Sequence, residues 1–177
     1  MLTRILTFHQ VMAECLEFIL VDDRSAFSGF RERLELQDSP RTVPIPSLGR
    51  SGQQFQLCYN LKSVYLNTED EDLDDNVDYI HQAAIYHQFD VIVGKALWIV
   101  TKGDQRLRRR LQELTGEDAR KEDKNFSSVE ESFRSSLSAH LVLCHWSTEN
   151  WHFELSGLEE CIDYVVGTCV FSTHGHD

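Results

Sequence analysis

The chain has 177 residues, 41% of them apolar and 10% aromatic, enough to bury one substantial core; a single domain is predicted over residues 1–171, with a flexible polar tail at 172–177. Seventeen Lys and Arg stand against 29 Asp and Glu, and the formal charge of −12 repels phosphates and argues against a nucleic-acid binder. No run of about 18 uncharged apolar residues occurs, so no membrane-spanning helix is predicted within these residues.

Thr7 can cap a helix over Phe8 to Val21, where Phe8, Val11, Met12, Cys15 and Ile19 recur at helical spacing. A short strand is predicted at Gly29 to Leu36. Pro40, Pro44 and Pro46, with Gly49 and Gly52, then make an irregular connection. From Gln54 to Leu66 the chain is rich in β-branched and aromatic residues, with Phe55, Leu57, Tyr59 and Leu61 on one face at period two, and reads as a strand.

A hairpin follows, with strands from about Asp78 to Phe89 and Lys95 to Lys102 and Gly94 as the permissive turn residue. On its first strand Ile80, Gln82, Ala84 and Tyr86 face one way and His81, Ala83, Ile85, His87 and Phe89 the other. Neither face is purely polar, so a sheet covered on both sides is predicted. Tyr86, His87, Phe89, Trp98, Trp146 and Trp151 are taken as the structural centre, with Trp98 buried at the hairpin.

Asp104 caps a helix from Gln105 to Leu114, with Leu107, Leu111 and Leu114 as its buried stripe, and Gly116 stops it. Ser127 or Ser128 begins another, with Val129, Phe133, Leu137, His140, Leu141 and Cys144 near one side. A last helix from about Thr148 or Glu154 uses Leu155, Leu158, Ile162 and Val165 or Val166. The resulting fold class is α/β (α+β): a mixed or mostly antiparallel sheet with a central hairpin, flanked by helices.

The ordered set His9-Gln-Val-Met12, Gln56-Leu-Cys-Tyr-Asn-Leu-Lys62, Gln82-Ala-Ala-Ile-Tyr-His-Gln-Phe-Asp90, Trp98-Ile-Val-Thr-Lys-Gly103, Ser136-Leu-Ser-Ala-His-Leu141 and Trp146-Ser-Thr-Glu-Asn-Trp151 resembles the soluble N-terminal region of fungal CorA-like transporter-domain proteins. The resemblance covers about Thr7 to Val165. It implies a cytosolic α/β domain standing before membrane helices, in proteins named for similarity to CorA magnesium channels. The chain itself holds neither those helices nor the Gly-Met-Asn pore signature.

Seven acids fall between Glu69 and Asp78, and clustered carboxylates suit Mg²⁺ or Ca²⁺. Asp70, Asp72, Asp74 and Asp75 are the candidate ligands. Asp75 stands where a cation loop of the EF-hand kind needs Gly, and His81 where it needs a bidentate Glu, so a solvated acidic loop is the first reading and weak cation association the second. His81, His87, His140, His145 and His152 lack metal-ligand spacing and read as structural.

Arg106, Arg108, Arg109 and Arg110 form the one concentrated basic patch, suited to an anion, a lipid surface or a partner, or else a solvated face with Arg109 paired to Glu113. Cys144-His145 are neighbours on a predicted helix and point apart, and no serine sits in a Gly-x-Ser-x-Gly elbow. No catalytic residue is assigned. Five cysteines, an odd number without a Cys-x-x-Cys pair, predict reduced and largely buried thiols. Acids at Glu14 and Glu17 interrupt the N-terminal apolar stretch and argue against a signal peptide, which fits a cytosolic chain.

The leading functional reading is a non-catalytic regulatory or assembly domain of a CorA-like membrane protein, with homo-oligomer formation and divalent-cation response both open. Its rivals are a stand-alone protein-interaction module and a small-molecule-binding or hydrolytic domain with a His/Trp-lined pocket.

Overall fold

The computed structural model describes residues 2–20, 29–35, 43–65 and 79–172. Helices α1 (Leu2–Phe8) and α2 (Cys15–Leu20) precede strand β1 (Phe30–Glu35). After a 3-10 turn at Pro46–Leu48 come β2 (Gln54–Tyr65), β3 (Tyr79–Asp90) and β4 (Ala96–Thr101). Helices α3 (Gln105–Thr115), α4 (Val129–Thr148) and α5 (Trp151–Ser172) follow. The four strands form one sheet in sequence order, every pair antiparallel.

The predicted two-sided cover is present. Ala84, Tyr86 and Cys58 bury against Met12, Cys15 and Phe18 from the N-terminal segment. On the other face Ala83 and Ile85 bury against Leu107 of α3 and Leu143 and Trp146 of α4. Alternation along β3 therefore supplies both cores, because successive side chains of a strand point to opposite sides.

Of the helix predicted over Phe8 to Val21, only Cys15–Leu20 is helical as expected: Thr7, its predicted cap, lies inside α1, which ends at Phe8, and the chain is not helical between α1 and α2. Gln10 turns left-handed at φ 54°, and the backbone groups freed at the break find partners in the sheet. Met12 N donates to Gln56 Oε1 at 3.0 Å, and Gln56 Nε2 donates to the Gln10 carbonyl at 3.3 Å. Helical periodicity in this stretch loses to docking by buried amide side chains, which satisfy groups that a continuous helix would have paired internally.

Asp90 organises the hairpin turn. Its carboxylate accepts from Ser51 N at 2.6 Å, Ser51 Oγ at 2.8 Å, Ile92 N at 3.0 Å and Val93 N at 2.9 Å. Burial alone raises its pKa, but these hydrogen bonds outweigh burial and hold the carboxyl below its ordinary value. Gly94 sits at φ 74°, and a Cβ there would come 3.0 Å from the Val129 Cα, so the turn needs glycine on both counts.

Caps set the helix starts. Asp104 accepts from Leu107 N at 2.7 Å and also from Trp146 Nε1 at 3.0 Å, so one carboxylate begins α3 and anchors α4. Ser128 caps α4. The buried residues of α4 differ from the predicted stripe: Ser132, Ser135, Ser136, Leu143 and Trp146 are buried, whereas Phe133, Leu137, Leu141 and Cys144 are exposed. Ser132 meets the Gly94 turn, and Ser135 Oγ donates to the Asn125 carbonyl at 2.9 Å, contacts that hydrophobic periodicity does not reveal.

The predicted burial of thiols holds for half of those described. Cys15 and Cys58 are buried in one cluster, and Cys144 and Cys161 are exposed. The Cys58 thiol donates to the Cys15 sulfur, which, with burial, raises the Cys58 pKa. Thiol titration of the native protein is expected to modify Cys144 and Cys161 promptly and to reach Cys15 and Cys58 only on denaturation. Prompt labelling of Cys58, located by peptide mass mapping, would contradict this burial.

Candidate functional site

At the β1 edge the sheet face that packs on α4 opens into a cleft of about 920 Å³. Register explains its walls. Phe30 lies opposite Tyr59, Leu34 opposite Phe55, and Leu57 opposite His87, so the alternating apolar residues of β1 and β2 share the α4 side of the sheet. Phe133, Leu137, His140 and Cys144, spaced three or four apart on α4, line the opposite wall. The apolar stripe that periodicity marks on α4 thus faces a cleft at its sheet side rather than filling a core.

A polar chain crosses the floor of the cleft. Tyr59 Oη and His140 Nδ1 share a hydrogen bond of 2.6 Å, and His140 Nε2 and His87 Nδ1 share one of 3.0 Å. The Trp98 indole stacks on His87 at 4.0 Å between centroids and 13° between planes, and meets His140 edge-on at 4.6 Å. Burial first, and the adjacent His140 second, hold the His87 pKa down to about 3. Burial likewise lowers His140, and burial followed by Cys144 raises Tyr59. All three are neutral at neutral pH, so the chain offers hydrogen bonds without charge.

A family model described as CorA-like transporters matches residues 1–169. The chain belongs to the CorA-like family. No curated protein and no solved structure matches it. None of the described helices of this CorA-like chain is long and apolar enough to cross a membrane.

The residues singled out from sequence fall in separate places in the CorA-like fold. Tyr86, His87, Phe89 and Trp146 are buried, with Tyr86 facing the N-terminal helices and the other three facing α3 and α4. Trp98, predicted to be buried, is only partly so, because it lies on β4, the last strand of the sheet. Trp151 is partly buried at the start of α5 and donates from Nε1 to the Ser147 carbonyl at 2.6 Å.

The four arginines of α3 are divided by their partners. Arg106 bonds Asp104 at 3.1 Å and the Val64 carbonyl at 3.1 Å, and Arg110 pairs with Glu149 at 2.5 Å. Arg109 meets Glu113 at 3.7 Å on the exposed face, where Arg108 is exposed as well. Asp70, Asp72, Asp74 and Asp75 lie outside the described residues. Among the described residues no three His, Cys, Asp or Glu side chains are grouped to hold a metal ion.

Sequence reasoning did not assemble the cleft. The signals were present as Phe55, Leu57 and Tyr59 at period two and Phe133, Leu137 and His140 at helical spacing. Which strand face meets which helix face is a tertiary fact that spacing does not carry.

Proposed function

We propose that this chain is a non-catalytic regulatory and assembly domain of a CorA-like membrane protein, placed on the cytosolic side, and that α5 is its assembly element. One observation carries the reading: α5 is 22 residues long, yet Leu155, Leu158, Ile162 and Val165 stand exposed, Leu158 at 52% and Ile162 at 61%. Sequence periodicity makes these residues a core stripe, but the fold buries them against nothing described. With Trp151 they recur at alternating steps of four and three, the spacing of a coiled-coil seam, along a helix of about 33 Å.

The occupant proposed for the seam is α5 of a second copy. Glu154, Glu159, Glu160 and Asp163, with no Lys or Arg in the helix, disfavour an anionic lipid surface. A matching apolar seam is complementary to this one without any new sequence feature. Gly157 meets no atom within 4 Å of a built Cβ, so it weakens the helix without a packing return inside one chain. A partner helix supplies the missing stabilisation.

The double variant Leu158→Glu, Ile162→Glu tests this. Association is expected to fall by at least about tenfold while the melting temperature of the monomer body stays unchanged, because these side chains lie outside both cores. Glu154 and Glu159 flank the seam, so association of the unmodified chain is expected to tighten with added salt. Unchanged self-association in the double variant would remove α5 as the assembly element.

A further inference from the structure

The hydrogen-bond chain on the cleft floor ends unsatisfied. A neutral imidazole carries one proton and one lone pair. If Tyr59 donates to His140 Nδ1, then His140 donates from Nε2 to His87 Nδ1, and His87 Nε2 is left holding a hydrogen. In the reverse sense His87 donates from Nδ1 to His140 Nε2, His140 donates from Nδ1 to Tyr59 Oη, and His87 Nε2 is left as a lone pair. Either way His87 Nε2 is buried with no partner among the described residues, on a side chain only 1% exposed. Ser136 Oγ, on a residue 2% exposed that also lines the cleft, has no partner among the described residues either. Native proteins rarely leave such atoms unpaired, and two of them just beneath the surface of one open cleft mark a place where a guest that displaces the covering side chains completes the bonding.

The walls define the guest. Phe30 and Tyr59 present nearly parallel rings, 6.4 Å between centroids and 27° between planes, on one side of the cleft. Phe133 stands opposite on α4, edge-on to Phe55 at 6.2 Å. At the rim Arg33 is committed to Glu14 at 3.0 Å, so its charge is already neutralised on the other side of β1. Glu32, on the same face of β1 as Phe30 and Leu34, adds a carboxylate at the rim, so an aromatic wall with neutral polar atoms at its floor favours a flat ring over a chain and an uncharged group over an anion.

We propose that the cleft between β1, β2 and α4 binds a small uncharged aromatic molecule carrying one amide, carbonyl or hydroxyl group, its ring against Tyr59 and Phe133 and its polar group on His87 Nε2 and Ser136 Oγ. The Tyr59–His140–His87 chain can reverse its donors and acceptors as a unit, so the floor accepts either a hydrogen-bond donor or an acceptor. The site is distinct from the α5 seam and stands whether or not that seam assembles the protein.

Benzamide, benzoate and cyclohexanecarboxamide are suitable probes for the full chain with ¹⁵N-labelled histidine. Benzamide is expected to shift the His87 and His140 ring resonances saturably, with an affinity on the order of millimolar for so small a ligand. Benzoate and cyclohexanecarboxamide are expected to bind at least about fivefold more weakly, one for its charge and the other for its lost ring. Leu137→Trp, which fills the cleft from an exposed position of α4, is expected to abolish the shifts while leaving the melting temperature unchanged. The absence of a saturable benzamide shift at its solubility limit would overturn the proposal. So would equal binding of the three probes, or benzamide shifts that persist in a folded Leu137→Trp protein.

Discussion

Trp146→Ala is expected to cost about 3–5 kcal/mol, the usual range for removing a large buried aromatic. The indole is fully buried among Ala83, Ile85, Leu107 and Leu143, where α3, α4 and the sheet meet. Its Nε1 also donates to Asp104 at 3.0 Å, so the substitution removes a partner from the carboxylate that caps α3. A loss of this size approaches the whole stability of a marginal domain. Trp146→Phe retains most of the volume and isolates the hydrogen bond, for which about 1–2 kcal/mol is expected. Urea denaturation followed by circular dichroism measures both. Trp98→Ala is expected to cost less than Trp146→Ala because Trp98 is only partly buried; the opposite order would misplace the core.

Acidification is expected to destabilise the protein steeply below about pH 6.5, with His87 as the largest single source. Its pKa is held to about 3 in the fold, against an ordinary value of 6.5. Between those values the unfolded chain takes up a proton that the folded chain refuses, so stability falls as pH falls. The slope approaches about 1.4 kcal/mol per pH unit and sums to roughly 4–5 kcal/mol at pH 3. His140, also lowered, acts in the same sense. The Asp90 carboxyl, held below its ordinary value, contributes stability that is present above the ordinary carboxylate pKa and is lost as pH falls through the folded one. Equilibrium unfolding from pH 7.5 to pH 4 should show the decline, and His87→Phe, which keeps a ring to stack on Trp98, should flatten it. An unchanged slope in that variant would assign the acid sensitivity elsewhere.

The strands and the helices after them were legible because their signals are local. Alternation placed Ala84 and Tyr86 opposite Ala83, Ile85 and His87, and the structure places these two sets in the two cores. Asp104 and Ser128 marked helix starts through their own side-chain hydrogen bonds. What failed was decided by distant partners. The break at Gln10 depends on Gln56, 46 residues away, and the buried face of α4 depends on the Gly94 turn and the Asn125 carbonyl that its serines meet. In α5 the apolar period was read correctly, but a period does not say whether the surface it meets belongs to the same chain. The cleft was hidden for a related reason, since Tyr59 and His140 are joined only by the packing of α4 over β2.

An α5 seam that joins copies of this CorA-like domain requires the intact chain to self-associate. Sedimentation equilibrium of the intact chain over a concentration series tests that claim directly. Reversible association into a dimer or larger closed assembly is expected by about 100 μM, a modest affinity for a short seam. A single monomeric species throughout that range, at both low and high salt, would contradict it.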